Sequence, residues 1–283
     1  MKANKIILGT AHFGMKYGIN KRELELNEIK KILKFAQNNN IKYLDTALSY
    51  KNAMIKLSKV NLKNWRIISK IPSKPKFLKD ISEWIEKIIY KTCNDLNINK
   101  IDTLLIHDEK NILDRNDGKK IFAKLRYYKD KGLIENIGCS IYTPQKVKHV
   151  LNDYDFDIIQ CPYNIFDKRL VRSGLLKMIE KKKIKLHLRS IFLQGLLLKK
   201  NNFPKNFRTT RPIKKLSSWL NNNNYRNISA CLAVLNEIKF DKLVVGVDNV
   251  AQIKDILINS KSNIKVPVFK INDKSKLIHP RKW

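Results

Sequence analysis

The sequence predicts an α/β fold, a (β/α)8 barrel of parallel strands with its chemistry at the C-terminal face. Three observations carry that expectation. A short apolar run followed by a helix-like stretch recurs about eight times along 283 residues, a repeat that argues for parallel strands joined by helical crossovers. Three successive runs, ending near Asp45, Lys70 and His107, each stop on an ionisable group, and the C-terminal strand ends are where barrels of this kind place reactive residues. Only 9 Gly and 8 Pro are present and no linker-like segment interrupts the chain, so residues 1–283 are expected to form one domain.

Taken in order, the strand candidates are 4–9, 41–45, 66–70, 101–107, 134–140, 156–161, 184–190 and 242–247. The helix candidates are 24–39, 51–60, 79–97, 117–131, 144–152, 170–182, 227–238 and 249–258. The third helix is the best marked. Ile81, Trp84, Ile85, Ile88 and Ile89 fall on one stripe, with Asp80 or Ser82 placed to cap it. The stretches 199–211 and Asn221 to Asn224 read as loop. A doubly wound sheet is the structural rival, but it would place G-x-G-x-x-G after its first strand. This chain has Gly9-Thr-Ala-His-Phe-Gly14 there.

Bulk composition narrows the function classes. Hydrophobic content of 43% suffices for a sizeable core, and no apolar run reaches the length of a membrane span. The N-terminal segment does not read as a signal peptide. Cys93, Cys139, Cys161 and Cys231 show neither C-x-x-C pairing nor zinc spacing, and Cys139 and Cys161 fall in strand-like runs as buried thiols. A cytoplasmic setting is therefore expected. The formal charge of +33 raises nucleic-acid binding as one reading. The lysines are spread along the whole chain, however, and no aromatic-interleaved basic motif occurs. The abundance of Lys, Asn and Ile together fits compositional drift, and no specific nucleic-acid partner is expected.

Asp45, Tyr50, Lys70 and His107 form a chemically coherent set. A buried lysine calls for a carboxylate, so Lys70 and Asp45 should pair. A neighbouring ammonium should lower the pKa of Tyr50, and His107 can orient a carbonyl oxygen by hydrogen bonding. A tyrosine so placed could protonate that oxygen as hydride arrives at carbon. No side chain supplies hydride, so a cofactor is required.

These residues and their surroundings resemble the aldo-keto reductase family from the first strand to the last residues. Leu8-Gly-Thr-Ala-His-Phe-Gly14 resembles its first-strand motif, and Leu44-Asp45-Thr-Ala-Leu-Ser-Tyr50 its Asp and Tyr motif. Ser69-Lys70 and Leu105-Ile-His107-Asp resemble its Lys and His motifs. Ile137-Gly-Cys-Ser140 and Ile159-Gln160-Cys-Pro-Tyr-Asn164 resemble the strand ends that hold a nicotinamide amide. Val245-Gly246-Val-Asp-Asn-Val-Ala-Gln252-Ile-Lys-Asp255 resembles the segment that grips the adenosine end. The resemblance implies NADP, with NAD as alternative, and metal-free reduction of a small or sugar-derived aldehyde or ketone. It implies Tyr50 as acid/base, tuned by Asp45 and Lys70, with His107 orienting the carbonyl. It places Ser140, Gln160 and Arg189 at the nicotinamide, Ser190 and Gln194 near the pyrophosphate, and Gly246, Val247, Asp248, Gln252 and Asp255 near the adenosine, with Thr10 also among the cofactor-binding residues.

Three departures stand out. Ile141 follows Ser140 where many members have Asn. Arg189 occupies the position of a residue, often aromatic, that stacks on the nicotinamide. Val247, Asp248 and Asn249 stand where Lys or Arg often holds a 2′-phosphate. Arg189-Ser-Ile-Phe-Leu-Gln-Gly195 and the ending Ile278-His-Pro-Arg-Lys-Trp283 are closest in style to bacterial members, several of which sit in surface-polysaccharide pathways. The alternatives are a slow, cofactor-binding regulatory subunit on the same barrel and a basic nucleic-acid-binding protein.

Overall fold

Residues 1–19, 21–199 and 203–283 are described by a computed structural model. Eight parallel strands close into a barrel in sequence order. They are β1 (Ile6–Gly9), β2 (Tyr43–Asp45), β3 (Arg66–Ile71), β4 (Ile101–Ile106), β5 (Ile134–Ser140), β6 (Ile158–Pro162), β7 (Lys185–Arg189) and β8 (Lys242–Gly246). β1 closes the ring by pairing with both β2 and β8, so Gly9 lies in register with Asp45 and with Gly246. Every expected strand is present, with bounds shifted by at most two residues, and the ladder is all parallel, as crossover helices require.

The barrel has two apolar layers. Inside it, Ile7, Ile68, Leu105 and Ile158 from β1, β3, β4 and β6 form a separate buried cluster. This is the interdigitated filling that makes such a barrel a packed core rather than a pore. Outside it, the second faces of the strands pack against the helices in one continuous core. The interior is tight: a Cβ on Gly138 would lie 2.3 Å from the Ile158 carbonyl oxygen, so β5 admits no side chain there.

The helix Ile81–Leu96 shows how sequence sets an element. Asp80 accepts from the backbone N–H groups of Ser82 and Glu83 and caps it. Ile85, Ile88, Ile89, Cys93 and Leu96 are buried at helical spacing, and Asn97 ends the helix with φ of 50°. Four expected helices are markedly shorter than their apolar pattern suggested, among them 51–60, which is reduced to Ala53–Ser58. The 170–182 stretch is two pieces, Arg169–Arg172 and Leu175–Lys181, divided at Gly174 with φ of 76°. The helices at Pro144–Lys148 and Asn227–Ala233 continue as 3-10 turns at Leu151–Asp153 and Val234–Glu237.

Besides the single turns Ala11–Gly14 and Lys110–Leu113, one longer helix was not anticipated. Arg211–Asn222 lies between β7 and β8 and takes in Arg211, Asn221 and Asn222 from the stretches expected to be loop, and Lys205–Arg208 adds a helical turn within the first of them. Residues 200–202 of that stretch lie outside the described residues. Pro212 occupies the first turn, and Ile213, Leu216 and Leu220 are buried at spacings of three and four. The helix is an addition to the β/α repeat, so counting alternations does not reveal it. Among the described residues no helix is long and apolar enough to cross a membrane.

His187 on β7 is buried with no hydrogen-bond partner at Nδ1. Burial, then Lys242 and Lys185, push its pKa down to about 3. The unfolded chain therefore binds a proton near pH 6.5 that the folded chain refuses, and stability present above that pH is lost as pH falls from about 6.5 toward 3. Urea midpoints measured between pH 7 and 4 should fall, and His187→Asn should flatten that part of the profile. An unchanged slope in the variant would place the acid sensitivity elsewhere.

Candidate active site

The C-terminal ends of the strands gather the polar residues. Asp45 ends β2, Lys70 is the penultimate residue of β3, and His107 directly follows β4. Ser140 ends β5, Gln160 sits in β6, Arg189 ends β7 and Gly246 ends β8. Tyr50 comes from the loop after β2. All eight line one cavity.

Backbone contacts fix the loop that carries Tyr50. The Thr10 N–H and hydroxyl donate to the Asp45 carbonyl at 2.9 and 3.1 Å. Asn52 N–H donates to the Gly14 carbonyl at 3.2 Å, and Ala53 N–H to the Tyr50 carbonyl at 3.0 Å. A Cβ at Gly14 would lie 1.8 Å from Ala53 N and 2.4 Å from the Tyr50 oxygen. Glycine is thus the residue that lets the two turns meet.

Lys70 is the hub. Its ammonium donates to Asp45 Oδ1, to the Thr46 carbonyl at 3.0 Å and to the Tyr50 hydroxyl at 3.2 Å. All three donors are used, and side-chain exposure is 2% for Lys70 and 3% for Asp45. Gln160 Nε2 donates to the second oxygen of Asp45 at 2.8 Å, and Ser140 donates to Gln160 Oε1 at 3.4 Å. The expected Lys70–Asp45 pair is therefore embedded in a network that spans β2, β3, β5 and β6.

The electrostatics differ from the sequence expectation at Tyr50. Its pKa is raised well above the usual 10, first by burial, then by the Asp45 carboxylate and by Tyr142 and Tyr17. The Lys70 charge is absorbed by Asp45, whose own charge repels phenolate, so the expected lowering does not occur. The phenol stays protonated across the neutral range. His107 moves oppositely: burial first, then Lys70, Arg281 and Arg189, push it down to about 2. It is a neutral imidazole, 6.1 Å from the Tyr50 ring between centroids and edge-on to it, with the Ser49 hydroxyl 3.4 Å from Nδ1.

Arg189 reaches across to donate to the Ile141 carbonyl at 2.9 Å and to Ser190 Oγ at 3.3 Å. Its guanidinium lies 4.0 Å over the Tyr142 ring, and its buried Nε has no partner. Gln194 donates to the Tyr17 hydroxyl at 3.0 Å. Asp248 is turned inward. It accepts from Gln252 Nε2 at 3.3 Å and lies 3.7 Å from His12 Nδ1.

A second cavity continues from the first, sharing Phe192, Leu198, Gly246 and Gln252, and includes Arg226 and Asp255. Ser190, Gln194, Gly246, Asp248 and Gln252 line the first cavity, and Asp255 the second. Thr10 and Val247 line neither: Thr10 supports the Asp45 backbone and Val247 is buried in the outer core. Sequence reading missed His12, Tyr17, Tyr142 and Arg226, all of which line these cavities. His12 sits within the quoted first-strand motif; the others come from loops with no pattern to mark them.

Comparison with known proteins agrees with this geometry. The model of the Aldo/keto reductase family matches residues 5–273, and the chain belongs to that family of NAD(P)H-dependent oxidoreductases. No curated protein sequence matches it. Among solved structures it is similar to the holo form of the aldo-keto reductase AKR11C1 from Bacillus halodurans, at 17% identity over 97% of this chain and 91% of that one, with a TM-score of 0.73. It is also similar to the glycerol dehydrogenase AKR11B4 from Gluconobacter oxydans, at 18% identity over 98% and 89%, with a TM-score of 0.64. These likenesses are to the fold.

Removing Lys70 should strand a buried carboxylate. Lys70→Met is expected to cost about 3–5 kcal/mol in chemical denaturation, and adding Asp45→Asn should recover a large part of that loss. If the double variant were as unstable as the sum of the singles, the pair would not be the coupled unit described here.

Proposed function

We propose that this protein reduces an aldehyde or ketone to the alcohol with a nicotinamide dinucleotide, with Tyr50 as the proton donor. The observation that carries the reading is the Tyr50 hydroxyl. It accepts from Lys70 at 3.2 Å, so its own proton is free to be given to an oxygen in the cavity.

The residues present fit the dinucleotide. A continuous groove runs from Tyr50 to Arg226, and Arg189 stands in it with an orphaned buried Nε. Ser140 and Gln160 would hold the nicotinamide amide, Arg189 its ring face, Ser190 and Gln194 the pyrophosphate, and Gln252 and Asp255 the adenosine end. When bound, the cofactor supplies hydride to the carbonyl carbon. His107 donates from Nε2 to the substrate oxygen, a tautomer that the Ser49 hydroxyl on Nδ1 would favour. Tyr50 then gives its proton to that oxygen as charge develops on it. Lys70 and Asp45 hold the phenol in place, and the Lys70 ammonium stabilises the phenolate left behind. A sugar-derived carbonyl is one substrate class the reading admits.

Tyr50→Phe keeps the ring and removes the transferable proton. Single-turnover reduction should fall about a hundred- to ten-thousand-fold, while cofactor affinity stays within about twofold. Reduction by the variant at the wild-type rate would refute the assignment of the acid.

Arg226 bears on the cofactor. It lines the groove beside Asp255, which its Nη2 contacts at 3.1 and 3.2 Å, and it supplies the cation that Val247, Asp248 and Asn249 lack. A 2′-phosphate placed there would gain charge-assisted hydrogen bonds, while Asp255 competes for the same guanidinium. NADPH should therefore be preferred over NADH by less than about a thousandfold. Fluorescence titration should show Arg226→Ala weakening NADPH by about tenfold and NADH by far less. Equal weakening of both would move the phosphate to another residue.

A further inference from the structure

The reaction end of the cavity carries more positive charge than its carboxylates balance. Lys70 is neutralised by Asp45, but Arg189 and Arg281 are not. Among the described residues no carboxylate lies within ion-pair distance of either. Both guanidinium groups lie over the same ring, that of Tyr142, at 4.0 and 3.4 Å. Tyr142 itself lines the cavity beside His107. Both arginines also depress the pKa of His107, which places them within electrostatic reach of the carbonyl-binding imidazole.

The C-terminal tail is built to hold Arg281 there. Leu277 and Ile278 are buried. Arg172 pairs with Asp273, Gln145 donates to the same carboxylate at 3.1 Å, and His279 Nε2 donates to the Asp273 carbonyl at 2.7 Å. Trp283 packs against Phe207 with ring centroids 5.0 Å apart, and its indole donates to the Lys276 carbonyl at 2.8 Å. The platform under Arg281 is fixed as well. Buried Glu109 accepts from the backbone N–H groups of Tyr142 and Thr143 at 2.7 and 2.8 Å, so its charge is spent on Tyr142's own backbone. Arg281 is thus an exposed cation held over Tyr142, a ring that lines the cavity.

We propose that the substrate is an anionic carbonyl compound whose carboxylate or phosphate is bound by Arg281 at the mouth of the cavity. This inference rests on the reading that Tyr50 and His107 act on a carbonyl. Arginine suits the role because its planar fork meets either oxyanion with two parallel hydrogen bonds and stays charged at every working pH. Asp248 lies away from this end, beside His12, so it does not oppose the anion.

The test compares matched pairs on the NADPH-loaded enzyme: glyceraldehyde against glyceraldehyde 3-phosphate, and butanal against succinic semialdehyde. The charged member should show the higher kcat/KM by about tenfold or more, as expected for charge-assisted hydrogen bonds. Arg281→Gln should reduce that ratio by about tenfold, acting on KM, and Arg281→Lys should restore part of it. The pair with the larger ratio tells phosphate from carboxylate. In parallel, glycerol and glycerol 3-phosphate are titrated into the complex by calorimetry. Tighter binding of the phosphate, lost in Arg281→Gln, supports the inference even if no aldehyde is reduced, in which case the carbonyl-reduction reading fails alone. Equal handling of charged and neutral members, or an Arg281→Gln loss equal on both, overturns the inference.

Discussion

Taking an ammonium and a carboxylate out of water costs several kcal/mol per ion, and the pair survives only if every remaining valence is satisfied. Lys70 and Asp45 meet that condition at the top of this barrel. The lysine's three protons go to Asp45, the Thr46 carbonyl and the Tyr50 hydroxyl, and the second Asp45 oxygen goes to Gln160. Each partner is thereby dictated. β2 and β3 must be neighbours, Gln160 must reach across from β6, and the loop after β2 must return Tyr50 to the lysine. The apolar cluster of Ile7, Ile68, Leu105 and Ile158 fills the interior of the same barrel. The structural core and the reactive layer therefore share one face of the same strands: Ile68 and Lys70, Leu105 and His107, and Ile158 and Gln160 are each two residues apart, so the polar layer sits directly above the apolar one.

The same burial that makes the ion pair costly sets the protonation of its neighbours. Desolvation disfavours whichever form is charged, so it drives Tyr50 up and His107 down. The result is two neutral donors facing one cavity at physiological pH. That combination suits an oxygen that acquires negative charge only during reaction. A site that held phenolate and imidazolium in the ground state would have spent its proton before the substrate arrived. The Lys70 ammonium has a different part: it already hydrogen-bonds the oxygen on which charge would remain after proton transfer. Such preorganised dipoles and charges act without rearrangement at the moment they are needed.

Much of this was readable in the sequence because strand ends have a signature. A run such as Ile101 to Ile106 announces a buried strand, and His107 after it announces the edge of the barrel. Asp45, Lys70, Ser140, Arg189 and Gly246 share that logic, each at or next to the last residue of its strand, whereas Gln160 sits mid-strand in β6. What the sequence withheld follows from two causes. Helix Arg211–Asn222 stands outside the repeat, and its burial depends on a surface built by other elements. The rise in the Tyr50 pKa depends on enclosure, which residue identities alone do not give; they show an ammonium nearby but not that Asp45 has already absorbed its charge. Val247 lines neither cavity, since its side chain is buried in the outer core next to Gly246.

The two halves of the site are held with different stiffness. Asp45, Lys70, Ser140 and Gln160 rest on strands and, with Tyr50, are braced by one hydrogen-bond network. Tyr142, Arg226 and Arg281 come from a loop after β5, the segment before β8 and the C-terminal tail, distant in sequence and joined only by the fold. Residues on a rigid scaffold keep chemistry within the narrow geometry it requires, whereas loops and tails can change without disturbing the barrel. The charges follow the same division. Among the described residues Arg189 and Arg281 have no carboxylate within ion-pair distance and share the Tyr142 ring, while Asp255 in the adjoining cavity is paired with Arg226. The barrel thus holds the Lys70 network in one geometry, and the appended segments supply the arginines arranged around it.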